Sequence, residues 1–445
     1  MAKLSLRISR YIKETYIAWL FIFLFFILIY IFLTINKFDT QQIKSNEKVI
    51  FYADNITPAH KTLIDKFNKT YEGQIKVVPI DLPFTKFTTN ERKELLARSL
   101  RSKSDKIDLF SIDIIWGYRF AKWAENLDKY IEKDLLDKII SPTKMTCIYK
   151  DSLIAVPFVV DVGTLYYRED ALKKLPNSDR IIEEINNSIT WDRLLELQRK
   201  LKIEDRFYLF PADDYEGLVC TYYELILNQN RDFFNNSEID FTRIEAKKAL
   251  QLLYDLIYKY KSTTQKVTSF TEQPANEYFV KNDGLFLRSW PTFIKEYESN
   301  NNVSNLDEFF KKAPLPKFEE TKPASVLGGW NLMIAKSSRN KKETAIFLKY
   351  LISEDSQRYL FEQNGSLPVH KDVYENIHLT KNSEELEYYQ KAFEYSVHRP
   401  MLTDYTRISD IISFYVHEAL NNKIGIEEAL YLATKKIKSN EVLFK

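Results

Sequence analysis

Residues 150–168 read KDSLIAVPFVVDVGTLYYR. Apolar β-formers dominate both halves, and Pro157 and Gly163 punctuate the middle, so the stretch predicts two strands joined through a break. One carboxylate, Asp161, stands between Val160 and Val162. An acid buried in an apolar run is costly unless a polar group arrives to pair with it. A cleft that receives a ligand meets that need, and so does a turn that ends a strand in water; both readings are open at this point.

Upstream, Val49–Ala53 predicts a strand, and residues 54–58 the turn that ends it. Leu63, Ile64, Phe67 and Tyr71 then recur at helical spacing up to Gly73, and Ile75–Ile80 predicts a second strand. This β-α-β unit favours a parallel sheet. An amphipathic helix over 91–102 leads to the buried strand IDLFSIDIIW, which runs into Asp113 and Trp116. Downstream, Trp191–Leu201 is a helix with Thr190 placed to cap it. A helix over 245–260, a strand over Gly284–Trp290, the proline-marked APLP at 313–316 and a strand over Val326–Ala335 come next. The pattern is α/β in two lobes.

At 445 residues and 45% hydrophobic content, the chain has material for more than one domain. The 64 basic and 62 acidic residues give a formal charge of +2, no field suited to nucleic acid. Two cysteines, Cys147 and Cys220, exclude a disulfide scaffold and a cysteine-rich metal site. From Ile17 to Ile35 the chain carries no charge, which is long enough for a helix to cross a bilayer core of roughly 30 Å. Lys3, Arg7, Arg10 and Lys13 precede it, so the first residues stay in the cytoplasm and the remainder is exported. The flank offers no cleavage site of small residues, and the run reads as an uncleaved anchor on the cytoplasmic membrane. Residues 37–48 are a polar linker.

Nine glycines form neither a G-x-x-x-x-G-K-[ST] loop nor a G-x-G-x-x-G fingerprint, and five histidines show no metal-ligand spacing. No G-x-S-x-G elbow anchors a hydrolase triad. No cofactor and no metal are expected. Asp113 and Asp161 could serve a glycosidase as paired carboxylates. What stands out instead is a set of aromatic and acidic residues at strand ends: Asp113, Trp116, Phe158, Asp161, Trp290 and Trp330. Aromatic faces cover the C–H surface of a sugar ring, and carboxylates or arginine pair with its hydroxyls. Ligands of α/β sheets bind outside such strand ends.

The segments IDLFSIDIIWGYRFAKW, AVPFVVDVGTLYYRED, TWDRLLELQRKL, YEGLVC, GLFLRSWP, VLGGWNLMIAKSS, GSLPVHKDVY and HRPMLTDYTRISDIISFYVHEAL, in this order, resemble the carbohydrate-binding extracellular solute-binding proteins of ABC transporters. Within that family the likeness is greatest to the trehalose/maltose binders. The resemblance implies a periplasmic-binding-protein fold of two α/β lobes with a hinge: 49–157 with 317–367, and 158–316 with 368–445, after the tip and anchor over 1–36. It implies chain crossings near Pro157, near 314–317 and near 367–369. It also implies sugar-hydroxyl acceptors at Asp113 and Asp161, ring stacking on Trp290 and Trp330, a backbone donor at Gly329 and a donor fork at Arg399.

Two positions depart from the family pattern. The loop ADNITPAHK lacks the usual glutamate, leaving Asn55 or Asp54 to replace it, and Val159 occupies a place where an aromatic is common. The resulting expectation is a non-enzymatic receptor that captures a di- or oligosaccharide and delivers it to an ABC permease. A membrane-anchored sugar sensor and a glycoside hydrolase are the alternatives.

Overall fold

A computed structural model describes residues 47–102, 107–235 and 238–439. The apolar run Ile17–Ile35 expected as an anchor lies outside these residues. Among the described residues no helix is long and apolar enough to cross a membrane. Contacts divide the chain into a large unit, Val49–Thr70 with Val77–Lys445, and a small one that includes Lys48 and Tyr71–Lys76. Within the small unit the Lys48 N–H donates to the Gln74 carbonyl at 2.8 Å.

Ten strands build the two main sheets: β1 (Lys48–Asp54), β2 (Ile75–Asp81), β3 (Leu109–Asp113), β4 (Val156–Val162), β5 (Thr164–Arg168), β6 (Tyr208–Leu209), β7 (Phe286–Ser289), β8 (Phe310–Ala313), β9 (Ser325–Ile334) and β10 (Ser396–Val397). Six form one sheet in the order β10-β9-β3-β1-β2, with β4 also paired to β9. The other four form a second sheet in the order β8-β5-β7-β6. β1 runs parallel to β3, but β9 is antiparallel to both β3 and β4. The architecture is therefore α/β and two-lobed, each lobe built on a mixed sheet.

The long strand β9 sets the register of everything functional. Trp330 stands opposite Asp113 of β3, and Gly328 opposite Asp161 of β4. Gly329 between them has φ +132°, and a Cβ there would come within 2.2 Å of the Val159 carbonyl oxygen, so only glycine fits. Packing behind this strand is apolar: Val160, Val162 and Leu327 join Leu367, Val369, Leu386 and Tyr389 in one buried cluster. Burying each such aliphatic side chain contributes about 1.5–3 kcal/mol.

The predicted break in residues 150–168 is Gly163 alone. Pro157 does not interrupt its strand: it lies inside β4, facing Asn331 where the β9 register slips past Trp330. A proline lacking its N–H is tolerated at such a bulge. The chain leaves the six-stranded sheet at Gly163 and enters the four-stranded one at Thr164. The helix Trp191–Leu201 begins as read, with the Thr190 hydroxyl accepting from the Arg193 N–H. The helix Pro58–Thr70 stops short of Gly73, which has φ +74° in the turn beyond. Cys147 and Cys220 are free, buried thiols.

Candidate functional site

Asp113 is the last residue of β3, where the strand tightens into a 3-10 turn, Ile114–Trp116. Its Oδ1 accepts from the Ile115 N–H at 3.0 Å, which caps that turn. The same carboxylate receives Arg399, whose Nη2 donates to Asp113 Oδ1 at 2.7 Å and whose Nη1 donates to Glu216 Oε1 at 2.8 Å. Arg399 lies just beyond β10, the strand paired in parallel with β9. Burial opposes its charge, but Asp113 and Glu216 more than offset that and hold the guanidinium ionised. Glu216 opens the helix Glu216–Gln229 and also accepts from Tyr405 at 2.6 Å and from Ser409. Burial raises its carboxyl above the ordinary range, with Arg399 opposing.

Two tryptophans flank this network, each backed by a buried arginine. The Arg92 guanidinium lies 4.5 Å from the Trp330 ring and 4.3 Å from that of Phe84. It donates to Asp54 Oδ1 at 3.1 Å, and Asp54 also holds the Tyr52 and Ser111 hydroxyls. The Arg288 guanidinium lies 4.1 Å from the Trp290 ring and grips Glu224 with two bonds, at 2.7 and 3.0 Å. The Trp290 backbone carbonyl accepts from the Tyr166 hydroxyl at 3.0 Å, and its indole N–H donates to Glu272 at 3.3 Å. Gly328 leaves room for this ring, since a Cβ there would stand 3.1 Å from Trp290 Cζ3.

Asp113, Asp161, Trp290, Gly329, Trp330 and Arg399 all line one cavity of about 130 Å³. Six of the residues singled out in the sequence are thus brought together. Asp161 keeps Oδ1 buried without a hydrogen-bond partner, and its carboxyl is pushed up to about 7 by burial, by Glu296 and by Asp113. Glu296 is likewise pushed up to about 7, by burial and by Glu272, with the Thr292 hydroxyl opposing.

Asn55 is not in this wall. It borders an adjoining cavity of about 330 Å³, which shares Phe84, Gln273 and Glu296 with the first. Asp54, the other stand-in for the missing glutamate, is spent on Arg92. Phe158 lies in neither wall; it is buried with its ring edge-on to His60 at 5.8 Å. Phe158 is the unpaired residue of the bulge in β4, between Val159 opposite Trp330 and Pro157 opposite Asn331. Trp116 is buried as well and takes no part in the cavity lining. Sequence reading missed Glu216, Glu272 and Glu296 as wall residues, and Arg92 and Arg288 as the supports of the rings.

The profile described as bacterial extracellular solute-binding protein matches residues 53–358. A probable ABC transporter-binding protein of Deinococcus radiodurans is 26% identical over 354 residues, spanning 77% of this chain and 82% of that protein. Among solved structures, maltose-bound MalE3 of T. maritima superposes with a TM-score of 0.77 at 29% identity, covering 88% of this chain and 100% of the other. A maltotriose-bound maltotriose-binding protein of Thermus thermophilus shares the fold, with a TM-score of 0.69 at 18% identity over 88% of this chain and 99% of that one.

Proposed function

Because this chain belongs to the bacterial extracellular solute-binding proteins, we propose that it captures a di- or oligosaccharide outside the cytoplasmic membrane and delivers it to an ABC permease. Ile17–Ile35 serves as the anchor in this reading. The observation that carries it is the pairing, around one cavity, of two arginine-backed tryptophans with a carboxylate and arginine network. Trp290 and Trp330 cover the apolar faces of sugar rings, while Asp113, Asp161 and Arg399 serve the hydroxyls. A site of fixed polar partners discriminates strongly, because a ligand lacking a hydroxyl leaves one of them unpaired.

The two lobes, one on each sheet, close on the sugar about the crossings, of which Gly163 is the first. Binding shifts the population towards the closed form, which the permease distinguishes from the open one. Asp113 is already committed to Arg399, so it is not free to act with Asp161 as a hydrolase's carboxylate pair.

The test is titration of the purified full-length chain with trehalose, maltose, maltotriose, sucrose and monosaccharides, monitoring tryptophan fluorescence and melting temperature. Saturable binding of at least one sugar, recovered intact afterwards, is the expected result. No response to any sugar, or release of cleaved product, contradicts the proposal.

A further inference from the structure

The walls of the cavity are unequal in charge. Among the described residues five carboxylates line it, those of Asp113, Asp161, Glu216, Glu272 and Glu296, against the single cation Arg399. Asp113 and Glu216 are neutralised by that arginine. Among the described residues no Lys or Arg forms an ion pair with the other three. Arg288, beneath Trp290, is committed to Glu224, and Arg92, beneath Trp330, to Asp54. Lys295, the neighbour of Glu296 in the helix Phe293–Asn301, borders the adjoining cavity rather than this one.

Two further observations point to a ligand. Arg399, 2% exposed, keeps its Nε–H without an acceptor, and Asp161 Oδ1 is buried without a donor. The site therefore lacks an oxygen acceptor at one place and a donor at another. A hydroxyl supplies a donor but no charge, and leaves Asp161, Glu272 and Glu296 without a counter-ion. An ammonium group supplies three donors and the missing charge together.

We propose that this cavity prefers a sugar bearing a protonated amine, an amino sugar within a di- or oligosaccharide, over its neutral counterpart, with Asp161, Glu272 and Glu296 around the ammonium. The proposal rests on the sugar-receptor reading and narrows its ligand class. Glu272 and Glu296 each sit in the first turn of a helix, whose amide ends offset part of their charge. Burial above all, with a neighbouring acid in each case, pushes Glu296 and Asp161 up to about 7. A bound ammonium favours their ionised forms, so ligand binding releases protons.

The experiment compares trehalose with its 2-amino-2-deoxy and 6-amino-6-deoxy derivatives on the full-length chain by calorimetry, at pH about 7.5 and about 5.5; the 6-ammonium stays largely charged at both, whereas the 2-ammonium, beside the acetal carbon, is partly neutral at the higher pH. At the higher pH at least one aminated sugar binds about tenfold tighter than trehalose or more. At the lower pH the preference shrinks, because the carboxyls keep their protons. Glu296→Gln and Glu272→Gln, each checked for an unchanged melting profile, lower the ratio of aminated to neutral affinity at the higher pH. Trehalose binding as tightly as both derivatives at pH about 7.5 overturns the proposal and leaves the sugar reading standing. Failure of every sugar, neutral or aminated, brings down both.

Discussion

The two tryptophan platforms are built alike and held differently. Behind Trp290, Arg288 makes two short bonds to Glu224, and Glu224 also accepts from the Val326 N–H of β9 at 3.2 Å, so this backing is an ion pair tied into the central strand. Behind Trp330, Arg92 makes one bond to Asp54 and is otherwise sandwiched between Phe84 and Trp330, with Nε and Nη1 unpartnered. Burial lowers the Arg92 guanidinium below its ordinary range, whereas for Arg288 Glu224 overcomes burial and raises it. One platform rests on a two-bond ion pair, the other on a one-bond ion pair and a second aromatic ring. The contrast teaches that an arginine can back a ring through two balances of forces that respond differently to substitution.

Removing the partner carboxylate from the charged platform gives the largest effect. Glu224→Ala leaves Arg288 buried at 1% exposure without its counter-charge, an expected loss of about 3–5 kcal/mol in urea unfolding. A loss below about 1 kcal/mol breaks the contrast by showing that Arg288 finds other solvation.

Next in size is the pH response of the ligand-free chain. Folded Asp161 and Glu296 keep their protons up to about pH 7, while the unfolded chain releases them in the ordinary carboxylate range, about 4. Between those limits the folded state binds more protons, so stability falls as pH rises, by at most about 1.4 kcal/mol per pH unit for each group. Denaturation midpoints between pH about 5 and 7 measure this, and Asp161→Asn with Glu296→Gln flattens the slope. A slope that persists in that double variant assigns it elsewhere.

The smallest effect is expected at the packed platform. Arg92→Met keeps an unbranched apolar stem between two aromatic rings and removes a charge that burial already disfavours. Its cost in the same unfolding assay falls below the roughly 3–5 kcal/mol of Glu224→Ala, because Asp54 loses its buried cation but keeps the Tyr52 and Ser111 hydroxyls and the Asn55 N–H. An effect as large as that of Glu224→Ala makes the two platforms equivalent.

Much of this was legible in the sequence. Alternating strands and amphipathic helices announced the α/β class, and Asp113, Asp161 and Trp290 were found because each sits at or near a strand end, whereas Trp330, read the same way, stands in the middle of β9. Gly329 and Arg399 came only from the family likeness. The register of β9 was not legible, because its slip past Trp330 depends on Pro157 of a distant strand. Phe158 was misplaced because it falls on the bulge in β4, which its own sequence does not announce. The three missed wall acids, Glu216, Glu272 and Glu296, each stand in the first turn of a helix, where an acid ordinarily complements the helix dipole and draws no notice. Arg92 and Arg288 read as two cations among 64, and only the fold sets a ring on each.

The most direct measurement is calorimetric titration of the full-length chain, Trp290→Ala and Trp330→Ala with the tightest sugar of the panel. The account predicts one site per chain, a negative heat-capacity change from ring burial, and a loss of about 2 kcal/mol or more in each variant, roughly thirtyfold in affinity. Unaltered affinity in both variants, with the fold intact, contradicts the claim that sugar is held between these two rings.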